Sequence, residues 1–553
     1  MISTGNGSLN WNLRFPFSQK PIPIQLKLSV NGSLFIMEQN VIQMPDLDYV
    51  PDERGLGYVY FHSMVKNCEK LAQIDGLTGE KISFGELLQR AVRVALHMKD
   101  VGVKAGDIVC TCSFNHPNVA VPTIASMFVG AIWTAVAPTS SVVDIAHMLR
   151  LVKPKMMFVQ NSSVDLIKKA LNLIDFDAMI VIFEESAAGD MPFSKFLQRR
   201  EDEATFAPWI VKSVEDTAFI VFSSGTAGYS KAISYNHYTF LCHVVNKRYI
   251  SDESMSLCLY YAWPSWAIFI TITNASIIRG WTRLMYRRFD PSKPWDVFNY
   301  KITFMFMTVV QLANMCKQAK PEHVDTSSLR HLEVGADFAR KNQMLEWKKI
   351  FPKTTVRLVY GLTELLTIFE ASDPKDDEIM DQKLMSVGTP IPGYSYKIVD
   401  LDTGKALGPN RQGELRVKTK VQTKGYYKSD SSNIWDSEGW FKTGEVGYYD
   451  DDHCFFVVKR INEMFNYQYF HIIPRVIEDV INLHPAVARS LVVGTPHPED
   501  VNHPLAYVVL HPNCSQTSEK ELEKFVEEKV EEQEKLRGGV KIVKNLPVTR
   551  DLV

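Results

Sequence analysis

Residues 217–231 read TAFIVFSSGTAGYSK, an apolar run followed by a turn rich in Ser, Thr and Gly that closes on Lys231. A short apolar run bounded by turn residues reads as a buried strand. Its loop has the composition of an anion cradle: glycine lets successive backbone N–H groups converge, and Ser223, Ser224 and Thr226 add hydroxyl donors. Gly225 and Gly228 supply the backbone freedom and Lys231 a point charge. The loop does not end in Gly-Lys-Ser/Thr, so it is not a Walker loop. An ordinary polar turn has the same composition, and the remainder of the chain has to decide between the two.

Outward from this stretch, strands and helices alternate. SFGELLQRAVRVALHMKDVGV (83–103) carries Leu87, Leu88, Ala91, Val94, Ala95 and Met98 on one helical face. DIVCTCS, KPKMMFVQ and DAMIVIF read as strands, and their interleaving with helices predicts a largely parallel sheet. Two long uncharged stretches, one from Asn115 and one from Leu257, read as buried core, because prolines and polar groups interrupt them. After GWFKTGEVGYYDDDHCFFVVKR, read as strands joined by an acidic turn, the pattern changes. PRVIEDVINLHP reads as a helix, ARSLVVGTP and LAYVVLHP as strands, and SEKELEKFVEEKVEEQEKL as a solvated amphipathic helix. The expected organisation is an irregular extension over 1–45, a large α/β domain of layered sheets over 46–458, and a small α+β lid over 459–553.

Composition bounds the function. The 553 residues hold 61 basic and 63 acidic side chains, a net charge of −2, with 46% hydrophobic and 22% charged residues. This is the balance of a globular protein with several subdomains, with no charge footprint for nucleic acid or an anionic membrane. The N-terminus lacks the basic and apolar regions of a secretory signal, and TRDLV is not an SKL-type peroxisomal address, so the cytosol is the expected compartment. Among eight cysteines only Cys110 and Cys112 are close, and no second pair or His cluster completes a zinc site; reduced thiols are expected.

Downstream, VRLVYGLTE places Tyr360, Gly361, Thr363 and Glu364 at the C-terminal end of a strand, where open α/β sheets bind ligands. GWFKTGE and VVKRI follow in order. With the Ser223–Lys231 loop, this succession resembles the AMP-forming, adenylate-forming enzymes: acyl-CoA synthetases, 4-coumarate:CoA ligases and beetle luciferases. VDLDTGKALGPNRQGELRV and EKLRGGVKIV are similar to the luciferase-like branch. The similarity spans roughly Asp46 to the last residue.

The resemblance implies ATP-dependent activation of a carboxylic acid, fatty or aromatic, as its adenylate. Transfer to coenzyme A would follow, or oxidation of the adenylate in luciferases. It implies phosphate binding by Ser223, Ser224, Gly225, Thr226, Gly228 and Lys231, and Mg2+ binding by Glu364. Tyr360 would pack on the adenine, with Gly361 beside it and Thr363 near the α-phosphate. Gly335 and Ala336, in VGADF, would form the adenine wall. Glu445 stands where the family carries an Asp that binds the ribose hydroxyls, and Arg460 matches a hinge-region arginine that contacts the nucleotide, after Lys459 at the hinge. Other positions depart from the pattern. Ala227 replaces a Thr. AWPSWAIF replaces a His-rich segment beside the acyl pocket and suggests an apolar acid. Tyr469 replaces a glycine that leaves room for pantetheine, and Gln468 a lysine. Ungapped matching of RGGVKIVKNLPVTRDLV puts Val553 at the catalytic lysine and Leu552 at the glycine before it. These departures leave a nucleotide-binding pseudoenzyme, or a luciferase-like oxygenase, as readings beside the ligase.

Overall fold

The computed structural model describes residues 36–38, 40–184, 191–223, 230–246, 256–371, 377–461, 464–467, 470–514 and 516–547. Two seven-stranded sheets and an antiparallel third build the large domain. The first runs in the order Lys231–Asn236, Thr217–Ser223, Ile132–Ala135, Ile108–Cys112, Met156–Val159, Met179–Ile182, Met191–Pro192, every neighbour parallel except the first pair. The second runs Thr355–Leu358, His331–Gly335, Phe304–Thr308, Leu257–Tyr260, Thr282–Met285, Leu71–Asp75, Lys81–Ser83, parallel but for its last pair. The expected parallel architecture is therefore present twice.

One apolar cluster joins these sheets, with Val109 and Phe219 from the first, Cys258 and Phe304 from the second, and helices between them. The helix Phe84–Asp100 starts on a capping box: Ser83 Oγ accepts from Glu86 N at 3.1 Å, and Ser83 N donates to Glu86 Oε2 at 2.7 Å. Its predicted face is the buried one, with Leu88 half-buried at the margin. The two uncharged stretches supply helices Ala120–Val129 and Ala267–Arg279, wrapped in protein on all sides. Helices apolar all round belong in a core of this kind. No described helix is long and apolar enough to cross a membrane.

The third sheet bears out the two strands joined by an acidic turn and corrects the expected extension. It is antiparallel, with Tyr394–Val399, Gly413–Thr419, Phe441–Tyr449 and Phe455–Arg460 in succession. Its edge is completed by Ile36–Glu38 and Val41–Gln43, so the irregular extension over 1–45 becomes sheet within its last ten residues. Ile42 is fully buried there, which explains the docking: a short strand carries little periodicity of its own.

The lid has its own core, including Ile477, Ile481, Val492, Ala506, Val508, Leu522 and Val526. It holds the helix Pro474–Ile481 and a sheet of Val487–His497, Val501–Leu510 and Gly539–Ile542. The predicted long helix from Ser518 ends at Glu527. Beyond it, like charges recur at helical spacing, Glu527 with Glu531 and Glu528 with Glu532, and Glu531 instead caps a tight turn over Glu532–Glu534. Lys535 closes that turn through Glu527 and Glu532 at 3.2 and 2.7 Å.

Candidate active site

The opening loop spans a hairpin. Ser223 ends one strand and pairs directly with Lys231, which begins the next. Ser224, Gly225, Thr226 and Gly228 lie outside the described residues, so only the flanks of the expected phosphate loop are placed. Lys231 is exposed, with Nζ 4.6 Å from the centroid of the Tyr426 ring and 3.4 Å from its hydroxyl. Burial and the neighbouring Glu364 push the Tyr426 hydroxyl up to about 12. Tyr426 is not among the residues expected from the sequence; its bridge to Ile233 and the bonds of Lys424 N to the Ser234 carbonyl and Tyr427 N to the Ala232 carbonyl bring it here.

YGLTE follows the strand Thr355–Leu358 as a tight turn, with Gly361–Leu362 paired to Leu366–Thr367. A Cβ on Gly361 would sit 2.6 Å from the Leu366 carbonyl oxygen, so only glycine permits this approach. The Tyr235 hydroxyl donates to the Thr363 carbonyl, and Thr423 N donates to the Glu364 carbonyl at 3.1 Å. These two bonds aim Glu364. Burial raises its carboxyl above the ordinary glutamate range, and Lys231, Tyr426 and Arg460 partly offset that. A half-buried carboxylate faced by two cations is therefore the centre of the site.

Glu445 and Arg460 are directly opposite on neighbouring antiparallel strands. Glu445 is 4% exposed, and Arg460 Nε lies 3.3 Å from its Oε1. The carboxylate expected to hold ribose hydroxyls is thus already engaged by the arginine expected to touch the nucleotide. Tyr360 adjoins both: burial and the Glu445 charge drive its hydroxyl well above the usual tyrosine range, and Arg460 opposes them. Its ring lies 6.0 Å from that of Phe369. Gly335 ends its strand with the position of a Cβ 3.0 Å from Val359 Cγ2, which brings the 335–336 turn against the segment leading into Tyr360. Ala336 takes φ +65°, a left-handed conformation uncommon for a residue with a side chain.

The structure thus gathers Lys231, Glu364, Arg460, Glu445 and Tyr360 from segments far apart in the chain. The residues suit a magnesium nucleotide: one hard carboxylate oxygen, from Glu364, beside cations that would face phosphate. Mg2+ is commonly held by one or two carboxylates, substrate phosphates and water, so this donor set fits it. A cavity of about 590 Å³ lined by Arg90, Arg93 and His116 shares no residue with this group.

Comparison with known proteins identifies the family. Residues 60–427 match the model of the AMP-binding enzymes, and residues 476–551 that of the AMP-binding enzyme C-terminal domain. A luciferin 4-monooxygenase of Luciola mingrelica is 28% identical over 92% of this chain and 95% of its own length. The 4-coumarate–CoA ligase-like 8 of Arabidopsis thaliana is 26% identical over 99% and 95%. The luciferase-like enzyme of the nonluminescent Zophobas morio mealworm superposes with a TM-score of 0.72 and 32% identity, over 77% of this chain and all of that one. ATP-bound MatB from Rhodopseudomonas palustris shares the fold at a TM-score of 0.78 and 22% identity, over 90% and 96%. The chain belongs to the AMP-binding, adenylate-forming enzymes. Within that family its relatives include both CoA ligases and luciferin monooxygenases.

Proposed function

We propose that this chain uses ATP to activate an apolar carboxylic acid, fatty or aromatic, as its acyl-adenylate. The observation that carries the reading is Glu364, a half-buried carboxylate within electrostatic reach of Lys231 and of Arg460, which itself pairs with Glu445. In the first half-reaction a carboxylate oxygen of the acid bonds to the α-phosphorus. The bond from that phosphorus to the bridging oxygen breaks, and pyrophosphate leaves with the electron pair. Such a step asks for alignment and charge neutralisation more than for covalent chemistry. Lys231 neutralises charge on the phosphates, Arg460 orients the nucleotide from the sheet edge, and Glu364 holds Mg2+, which supplies further neutralisation when bound. The segment around Trp263 and Trp266, whose rings pack edge to face at 6.1 Å, is the basis for an apolar acid.

A coenzyme A thiol would then displace AMP. Gln468, Tyr469, Leu552 and Val553 lie outside the described residues, and their replacement of the family's residues argues for slow turnover at both steps. A second reading, nucleotide binding without efficient turnover, rests on Leu552 and Val553, which stand where the family carries a glycine and its catalytic lysine.

ATP–pyrophosphate exchange with a panel of fatty and aromatic acids tests the proposal. Acid-dependent exchange is expected, and Lys231→Met should lower its rate by about 10²–10³. Magnesium-dependent thermal stabilisation by ATP with no exchange for any acid would leave the binding-only reading standing and overturn catalysis.

A further inference from the structure

The hairpin Val487–His497 and Val501–Leu510 ends in a turn of unusual chemistry for a surface connection. In its register Thr495 faces His503 and His497 faces Val501, so two imidazoles come from opposite strands of one tip. Their rings lie 3.8 Å apart at 15°, stacked. Asp500, within the turn, directs a single oxygen at both: its Oδ2 lies 2.8 Å from His503 Nε2 and 3.6 Å from His497 Nδ1. One donor atom from each of the three residues lies within 4.8 Å of the others, all three side chains half-buried. Glu499 N and Asp500 N donate to His497 Nδ1 from 3.4 and 3.3 Å, so this nitrogen carries the lone pair of its ring, and that lone pair is engaged by the turn while no ion is bound.

We propose that His497, Asp500 and His503 bind a divalent ion of the zinc class at the tip of the lid hairpin. Two imidazole nitrogens and one carboxylate oxygen are a borderline-soft donor set, suited to Zn2+ and its neighbours and poorly suited to Mg2+ or Ca2+. Ligand bonds of 2.0–2.2 Å around a tetrahedral ion separate donor atoms by about 3.4 Å. The observed 2.8 and 3.6 Å lie on either side of that value, so entry requires a small opening of the His503–Asp500 contact and release of the two backbone N–H groups from His497 Nδ1. The fourth position falls to water. The surroundings hold the ligands in place: the Tyr467 ring lies 5.9 Å from that of His503, and Asn502 Nδ2 donates to the Asn466 carbonyl at 3.0 Å, tying the turn to the neighbouring hairpin. His497, Asp500 and His503 stand three residues apart in the sequence, and the expectation that no His cluster forms a zinc site overlooks the turn that folds them together. The ion fastens the two strands and stands apart from the adenylation chemistry.

Titration of the full chain with Co2+, a spectroscopic substitute for Zn2+, tests this. One equivalent should give visible d–d absorption without a thiolate charge-transfer band, and should raise the melting temperature. His503→Gln and Asp500→Asn should each weaken binding by at least about 100-fold, beyond the effect of losing a group that merely orients a ligand. Glu364→Gln should leave the absorption in place, which separates this site from the nucleotide cleft. Absence of d–d absorption in the unaltered chain, a thiolate band, or absorption unchanged in Asp500→Asn would overturn the proposal. Asp500→Asn is nearly isosteric at a half-exposed turn, so it decides even where His503→Gln does not fold.

Discussion

Glu364 shows how a residue can be costly to the fold and necessary to the site. Its carboxyl is pushed up mainly by burial. Between the ordinary glutamate range and that raised value, the folded chain keeps a proton that the unfolded chain has released. Stability therefore falls as pH rises through this window, and the penalty persists above it. Glu364→Gln should raise the melting temperature of the ligand-free protein at neutral pH and have no such effect below the window. The same variant should lose magnesium-dependent stabilisation by ATP. A differential scan at two pH values, with and without MgATP, checks both halves; a ligand-free melting temperature lowered at neutral pH would contradict the charge argument. Tyr360, Gly361 and Glu364 were legible in the sequence because one short segment carries them. Tyr426 was not, since its partner Lys231 lies 195 residues away.

At the scale of elements, the YGLTE turn depends on a neighbouring strand. Tyr235, fully buried on Lys231–Asn236, reaches the Thr363 carbonyl with its hydroxyl. Tyr235→Phe keeps the ring and removes that donor, leaving the carbonyl without it. The expected cost is about 1–3 kcal/mol, read in denaturant unfolding. A rise in KM for ATP should accompany it, because the turn that aims Glu364 is loosened; a loss of stability with unaltered ATP affinity would assign Tyr235 to the core alone. The predicted elements that formed were those with strong internal pattern, such as Phe84–Asp100. Those misread had weak or misleading patterns: Val41–Gln43 is three residues long, and the helix from Glu519 stops where glutamates crowd.

For the whole molecule, the relation of lid to body matters most. The lid has its own core, and Arg340 of the body meets Asp479 of the lid across 3.7 Å with both side chains substantially exposed. An exposed pair of this kind contributes about 0–1 kcal/mol. The lid is thus built as a separate unit, as its own family match at 476–551 also indicates. If turnover is slow because Val553 stands at the position matched to the family's lysine, Val553→Lys should raise acid-dependent pyrophosphate exchange by about 10²–10³ while leaving ATP binding unchanged. An unaltered exchange rate would place the limitation elsewhere, with Glu445 the next position to vary.

The amino-acid sequence by itself determined the alternation of strands and helices, the change of character near Arg460, and the order of motifs that marks an adenylate-forming enzyme. All of these are local: apolar period, turn residues and short runs of chemistry survive without knowledge of what they touch. Tertiary structure alone decided that Glu445 is paired by Arg460, that Tyr426 flanks Lys231, and that two histidines stack over Asp500. Each of those contacts follows from strand register or from segments meeting across the fold. A shift of one residue in register turns every side chain of a strand to the opposite face, and no local propensity specifies which register the assembled sheets select.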